Sequence, residues 1–144
     1  MEIETMGRVL VEVTVENLKD RWAVENNLMP ADQVRSLVVP DALVDTGATM
    51  LALPRRLIRQ LGLTALDTRR ITSSVGPGET TIYEAVRLTI QGRVCSMDVM
   101  EVPDDVPVLV GQLPLERLDF VVDPGNRSLI GNPAHGGEHV LEAY

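Results

Sequence analysis

The sequence predicts an all-β protein with one or two short helices, and three observations point to this fold class. Apolar residues make up 44% of the 144 residues and aromatic residues only 3%. The core must therefore be built from Val, Leu, Ile and Met, a bias that favours strands. Val9, Val11, Val13 and Val15 alternate with other residues at the period of two that is typical of a half-buried strand. The other apolar runs are short, with Gly, Pro and Asp between them.

Composition and length exclude several classes of protein. Thirteen basic against twenty-one acidic residues give a formal charge of -8, with no basic run long enough to follow a phosphate backbone, so we expect no nucleic-acid partner. There is no basic then apolar leader, and no apolar run approaches the roughly eighteen residues that span a bilayer, so we expect a cytoplasmic protein without membrane contact. The length predicts a single domain over residues 1–144, with its core at about 8–131 and a polar tail at 132–144.

The first strand is followed by an excursion, residues 17–33, in which the alternation stops. Asn17 with Asp20 is able to cap a short helix that carries Trp22. We expect this Trp to cover an edge of the core rather than to anchor a ligand. Residues 34–39 then form the second strand.

The next segment leads into a single carboxylate. Pro40 and Asp41 are predicted to form a turn, after which residues 42–49 read Ala-Leu-Val-Asp-Thr-Gly-Ala-Thr. An apolar run that ends in Asp45 suits a buried strand closed by a tight turn. Gly47 follows, a residue that is free to take a positive φ and that lets another backbone approach closely.

Downstream, short strands alternate with turns. A helix is expected to begin at Pro54 and to end at Gly62, and a second helical turn to begin near Pro114. The other predicted elements are a hairpin with strands at 71–75 and 80–90 and its tip at Gly76, Pro77 and Gly78, a strand at 93–102, a strand at 108–111, and a hairpin at 120–130.

Several residue types that often carry chemistry have structural explanations here. Cys95, the only cysteine, lies in an apolar-alternating strand and is read as a buried small hydrophobic residue. Asp104 and Asp105 stand between prolines and are read as turn formers. His135 and His139 are four residues apart, but two glycines intervene and no third ligand is evident, so we expect no metal and no cofactor.

Two halves of the chain echo each other, since Leu-Val-Asp-Thr-Gly at 43–47 precedes the Pro54 helix and Leu-Val-Gly at 109–111 precedes the Pro114 helix. This order, with a glycine-containing hairpin between the two motifs, resembles the retropepsins, the single-domain aspartic proteases of retroviruses and their cellular relatives, and is closest to the bacterial and archaeal cytoplasmic members. The resemblance covers about residues 8–131. It implies a closed β-barrel whose active site lies on the two-fold axis of a homodimer.

The resemblance also implies roles for residues of the first motif. Asp45 would be the general acid or base, the Thr46 hydroxyl would bond across the dimer axis, and Gly47 would let the substrate approach. Ala48 and Thr49 would lie beside the bound peptide. The tip of the hairpin would be a flap that contacts the substrate, through Ser74, Val75, Gly76, Pro77 and Gly78.

Hydrolysis by this route needs two carboxylates that share a proton. The chain carries one Asp-Thr-Gly motif, and Asp123 is followed by Pro124 and Gly125, which indicate a turn. The second carboxylate is therefore expected from another copy of the chain, with a peptide or protein as substrate. Residues 1–6 and the segment after Leu129 are candidates for the dimer interface.

Two alternatives stand beside the endopeptidase. One is a binding module that keeps the fold, with little catalysis, and recognises extended peptides by strand pairing. The other is an unrelated β-barrel with a chance motif. Viral members often carry an acid after Asp-Thr-Gly-Ala and an Arg after the second motif, where this chain has Thr49 and Gln112.

Overall fold

A computed structural model describes residues 8–143, so the predicted role of residues 1–6 in a dimer interface lies outside the described residues. Within this range there are nine strands: β1 Leu10–Asn17, β2 Ser36–Val44, β3 Leu51–Pro54, β4 Thr64–Ser73, β5 Gly76–Ile90, β6 Arg93–Val102, β7 Leu109–Val110, β8 Phe120–Asp123 and β9 Ser128–Gly131. The α-helices are α1 Leu18–Glu25, α2 Arg55–Leu61 and α3 Gln112–Leu118. The sequence predicted a helix or a helical turn at each of these three places.

Six strands close into a barrel, as the resemblance implied. Their order is β1, β2, β7, β3, β6, β5, and the pairing of β5 with β1 closes the ring. The β2–β7 and β3–β6 pairs are parallel and the others are antiparallel. Strand β4 pairs with β5 outside the ring, so within residues 8–143 its outer edge is unpaired, and β8 and β9 form a separate two-stranded sheet.

The core is aliphatic, as the composition predicted. The four alternating valines are all buried, Val9 just before β1 and the other three within it, which confirms the period-two reading. Cys95 is buried and free, and burial raises the pKa of its thiol. The largest fully buried side chains come from β3, α2, β5 and α3: Leu51, Leu53, Leu61, Leu88, Ile90 and Leu118.

The predicted turn at Pro40 and Asp41 is wrong, because β2 runs through both residues. Val11 pairs with Ala42 but Val13 pairs with Val39, so three steps along β2 match two along β1. The extra residue is absorbed as a β-bulge, which also accommodates a proline that has no N–H to donate. The strand therefore continues directly to Val44, the residue before Asp45.

The excursion between β1 and β2 begins with the predicted helix. Asn17 is its N-cap, and its side-chain oxygen accepts a hydrogen bond from the Asp20 N–H at 3.1 Å. The Asn17 amide also donates to the Leu61 carbonyl at 2.7 Å, which fixes α1 against the end of α2. Arg35 then donates to both oxygens of Asp20, at 2.8 and 3.0 Å, and these bonds lower the pKa of that carboxyl group.

Trp22 does not cover the core. It is 57% exposed, and Asp20 is the buried residue of α1. The expected packing role is therefore wrong, because the helix is attached through its cap and the Asp20–Arg35 pair rather than through an apolar face. None of the helices in the described range is long and apolar enough to cross a membrane.

Candidate active site

The end of β2 delivers Asp45 to a loop of residues 45–50, called the Asp45 loop. Ala42 and Val44 point into the core, and Val44 pairs with Val110 of the parallel strand β7. The Asp45 N–H continues this ladder by donating to the Val110 carbonyl at 2.9 Å. The carboxylate therefore follows directly from a strand that is held on both sides, since β1 flanks β2 as well.

Inside the loop, the backbone turns back on the carboxylate. The Ala48 N–H donates to the Asp45 carbonyl at 3.0 Å, and the Gly47 N–H donates to Oδ1 of Asp45 at 3.0 Å. Asp45 is half-buried, while Thr46, Gly47 and Thr49 are exposed. The structure therefore brings the five predicted residues, 45–49, into one turn with an accessible carboxylate.

Gly47 acts here through its size. Its φ is not among the positive values of the described glycines, so the positive φ that the sequence allowed is not used. A Cβ at this position would lie 3.2 Å from Oδ1 of Asp45. Any side chain would crowd the carboxylate from the side on which the N–H binds it.

Strand β7 and helix α3 support the loop from behind. Gln112 and Leu113, at the start of α3, donate their N–H groups to the carbonyls of Ala48 and Thr49 at 2.8 and 2.9 Å. These are N–H groups that a helix leaves unpaired in its first turn, and no side chain caps α3. Carbonyl groups of the Asp45 loop therefore accept the hydrogen bonds that a capping side chain would otherwise accept. These bonds connect the start of α3 to the Asp45 loop.

Gly111 marks the point of closest approach. Its N–H donates to the Met50 carbonyl at 3.1 Å. A Cβ there would lie 2.7 Å from the Ala48 carbonyl oxygen and would also clash with that of Met50. Only glycine fits between β7 and the loop without moving the backbone.

These observations agree with a comparison against protein-family models. The family described as "gag-polyprotein putative aspartyl protease" matches residues 39–117, which is more than half of the chain. The chain belongs to this retropepsin-like family. Comparison with curated proteins gives no match. The matched range contains the Asp45 loop, the β4–β5 hairpin, β7 and nearly all of α3, so it covers both motifs that the sequence singled out.

The β4–β5 hairpin, which the resemblance predicted to be a flap, has a different tip from the predicted one. The turn consists of Ser74 and Val75, because Ser73 pairs directly with Gly76. Gly76 has a φ of 112° and completes the turn, while Pro77 and Gly78 already belong to β5. The glycines and the proline had suggested the centre of the turn, but they follow it.

The tip is solvent-exposed and lightly held. Val75 is 95% exposed, and the Ser73 hydroxyl bridges the turn by donating to the Gly76 carbonyl at 3.1 Å. Within residues 8–143, no hydrogen bond connects the tip to the Asp45 loop. The structure therefore groups residues 45–49 together and leaves residues 74–78 as a separate exposed element.

A polar cluster at the base of the hairpin was not found from the sequence. Glu101 accepts a hydrogen bond from the Tyr83 hydroxyl at 2.8 Å and one from Arg55 at 3.1 Å. Burial, then the bond to Glu101, raises the pKa of Tyr83. Tyr83 and Glu101, with Arg55 and Arg59, line a cleft of about 530 Å³ that does not include the Asp45 loop. The partners are 18 and 46 residues apart, so only the fold brings them together.

The histidines are engaged by protein groups. His135 contacts Asp119 and Glu142, and His139 contacts the Arg117 carbonyl. In the part of the chain that the structure describes, no three His, Cys, Asp or Glu side chains come together in a way that would hold a metal ion.

Proposed function

We propose that the protein is an aspartic endopeptidase that hydrolyses peptide bonds with a water molecule activated between the Asp45 carboxylates of two copies of the chain. The observation that carries this proposal is the Asp45 loop. It presents one accessible carboxylate on a turn that is fixed by backbone hydrogen bonds to β7 and α3. Membership of the retropepsin-like family supports the same reaction class.

The reaction needs the two carboxylates in different protonation states. Like charges a few ångströms apart do not both ionise, so one carboxylate keeps a proton. The ionised carboxylate takes a proton from the water molecule while the water oxygen bonds to the peptide carbonyl carbon. The protonated carboxylate gives its proton to the carbonyl oxygen. The carboxylic acid that took the water proton then gives it to the nitrogen as the C–N bond breaks. The other carboxylate regains a proton from a hydroxyl of the tetrahedral intermediate, which collapses to the product carboxylic acid, so one Asp45 is again protonated and the other ionised.

Asp123 is a poor candidate for the second carboxylate. Its Oδ1 accepts the Gly125 N–H at 3.1 Å and its Oδ2 accepts the Asn126 amide at 2.8 Å. Both oxygens therefore hold the β8–β9 turn together. Asp45, by contrast, uses only Oδ1 within the described residues, which supports a site completed by Asp45 of a second copy.

The other residues of the Asp45 loop and the hairpin tip would join the two copies or bind the peptide. In this proposal the Thr46 hydroxyl bonds across the dimer axis, and Ala48 and Thr49 lie along the bound backbone. The tip of the β4–β5 hairpin closes over the substrate and excludes water. Its exposure and its lack of bonds to the loop within residues 8–143 are what a movable cover requires.

The central test compares Asp45→Asn with the control Asp105→Asn, which changes an exposed carboxylate in the turn before β7. A mixed peptide library is incubated with each variant, and cleavage is followed by mass spectrometry. We expect Asp45→Asn to lower the rate by about a thousandfold or more, the scale of a lost general acid or base, and Asp105→Asn to match the wild type. Cleavage that survives in Asp45→Asn would contradict the mechanism. Binding of peptides without cleavage by the wild type would favour a binding module.

The requirement for two copies has its own test. Wild-type and Asp45→Asn chains are mixed in varied ratios, allowed to exchange subunits, and assayed, while light scattering gives the molecular mass. If both Asp45 residues are needed, activity falls with the square of the wild-type fraction. A linear fall, or an active monomer, would contradict the shared site.

A further inference from the structure

Residues 132–143, called the tail, return to the barrel beside the end of α3. Asp119, the residue after that helix, receives three contacts from the tail. The Asn132 amide donates to Oδ1 at 3.2 Å, the Val140 N–H donates to Oδ2 at 3.2 Å, and His135 Nδ1 lies 2.6 Å from Oδ2. The Asp119 carboxylate thus bonds to residues from both the start and the end of the tail.

The His135 ring lies between two carboxylates. Nδ1 faces Asp119, and Nε2 lies 2.7 Å from Oε1 of Glu142. An ionised carboxylate only accepts hydrogen bonds, and a neutral imidazole donates from one nitrogen only. Both short contacts are satisfied together only when both ring nitrogens carry a proton, so this geometry selects the imidazolium cation.

The inner carboxylate is fixed in place. Asp119 is 8% exposed, and its left-handed backbone, with a φ of 58°, ends α3. Arg93 of β6 donates to the carbonyls of Leu118 and Asp119 at 2.8 and 2.9 Å. Because α3 and Arg93 hold its backbone, Asp119 keeps its place on the barrel when the tail binds or leaves.

We propose that the tail is a pH-dependent latch, closed onto the barrel while His135 is protonated and loosened when the ring loses its proton. Deprotonation leaves a lone pair on one ring nitrogen. That lone pair faces a negatively charged carboxylate, so the contact becomes repulsive. The other charged or titratable residues that contact the tail or belong to it are Arg93, which donates to the Gly137 carbonyl, Arg117, whose carbonyl contacts His139, and Glu138 and His139 themselves. None of these four bonds to the His135 ring.

The direction of the pH effect follows from both partners. Hydrogen bonds to Glu142 and to Asp119 raise the pKa of His135 above 6.5. The side chain of Glu142 is 75% exposed, so water competes for its carboxylate. We therefore assign most of the rise in the pKa of His135 to Asp119. The bond from His135 in turn holds the pKa of Asp119 at about 2, below its usual 3.8.

Because the pKa of His135 is raised in the closed tail, protonated His135 stabilises the closed tail fully below pH 6.5. This stabilisation is lost as the pH rises through the raised pKa of His135. A lowered aspartate pKa stabilises it above pH 3.8, and this is lost as pH falls through about 2. The latch is therefore tightest between these limits.

Carbon-detected NMR of the full chain tests this without amide protons, which exchange rapidly above neutral pH. The ring signals of His135 and the backbone carbon shifts of residues 136–142 are followed from pH 5 to pH 10. We expect the tail shifts to move toward coil values with the same midpoint as the ring titration. The ratio of closed to open tail should change by about tenfold or more, the scale of a lost charge-assisted hydrogen bond.

Three variants make the assignment specific. Asp119→Asn, which keeps a residue that tolerates a left-handed backbone, should move the ring titration and the tail opening together to lower pH. His135→Gln should leave the tail open with no pH step, whereas the control Glu138→Gln, which changes an exposed side chain of the tail, should behave as the wild type. Equal tail shifts in the wild type and His135→Gln at every pH would overturn the latch, as would a ring titration with no change in the tail.

Discussion

The Asp45 loop and the tip of the β4–β5 hairpin are both short turns that contain glycine, but their surroundings differ. Gly111, behind the loop, has no room for a Cβ, whereas nothing lies within 4 Å of a Cβ at Gly76 or Gly78. The loop is bonded to β7 and α3 through the backbone, and the tip is exposed. The comparison teaches that this fold holds its carboxylate through close packing and backbone bonds and leaves the hairpin tip exposed, with room for side chains.

Amide hydrogen exchange should show the largest difference between the two regions. The Gln112 N–H, bonded to the Ala48 carbonyl, should exchange only when the whole protein unfolds. The Val75 N–H has just a 3.4 Å contact with the Ser73 hydroxyl and should exchange almost freely. We expect rates that differ by more than about 10³-fold, because local opening free energies range from near zero to the global value. Similar protection at both sites would break the comparison.

Substitution of the glycines should separate the regions next. Gly111→Ala places a methyl group against the carbonyls of Ala48 and Met50, and we expect a loss of about 3 kcal/mol in the free energy of unfolding, as for overpacking. Gly78→Ala is the matched control and should stay within about 0.5 kcal/mol of the wild type. Urea unfolding followed by circular dichroism measures both. Equal losses would show that the tip is as constrained as the loop.

The base of the hairpin should give the smallest effect. Tyr83→Phe removes the hydrogen bond to Glu101 while it keeps the ring, and we expect a loss of about 1 kcal/mol. Thr68→Val, on the exposed strand β4, serves as the control in the same urea experiment and should change stability by less than about 0.5 kcal/mol. No loss in Tyr83→Phe would mean that the hairpin is anchored by β5–β6 pairing alone.

Local patterns in the sequence predicted the parts of the fold that depend on neighbouring residues. The alternating valines of β1, the Asn17 cap and the strand that leads into Asp45 were all predicted from residues that are close neighbours in the sequence. The Leu-Val-Gly motif was also recognised, but the steric reason for Gly111 needed the fold, because the carbonyls it meets lie some sixty residues earlier in the chain.

The predictions that failed involve choices between locally similar structures. Pro40 signals a turn, yet a bulge accommodates it in β2. Three residues with turn character, at 76–78, suggested the wrong centre for the hairpin, which was set by the register of β4 against β5. Trp22 was expected to be covered, but a cap and an ion pair attach α1 without it. The roles of residues 45–49 and 74–78 in substrate binding remain predictions.

The outer edge of β4 has a consequence for how the protein behaves at high concentration. A long strand with unpaired backbone groups invites other sheets to add to it and aggregate. Leu66 sits where the register shifts, and Asp67, Arg69 and Arg70 follow it. An irregular backbone next to three charged side chains discourages such growth. Substitutions that neutralise these charges, for crystallisation or engineering, would remove the feature that prevents this edge from pairing with other molecules.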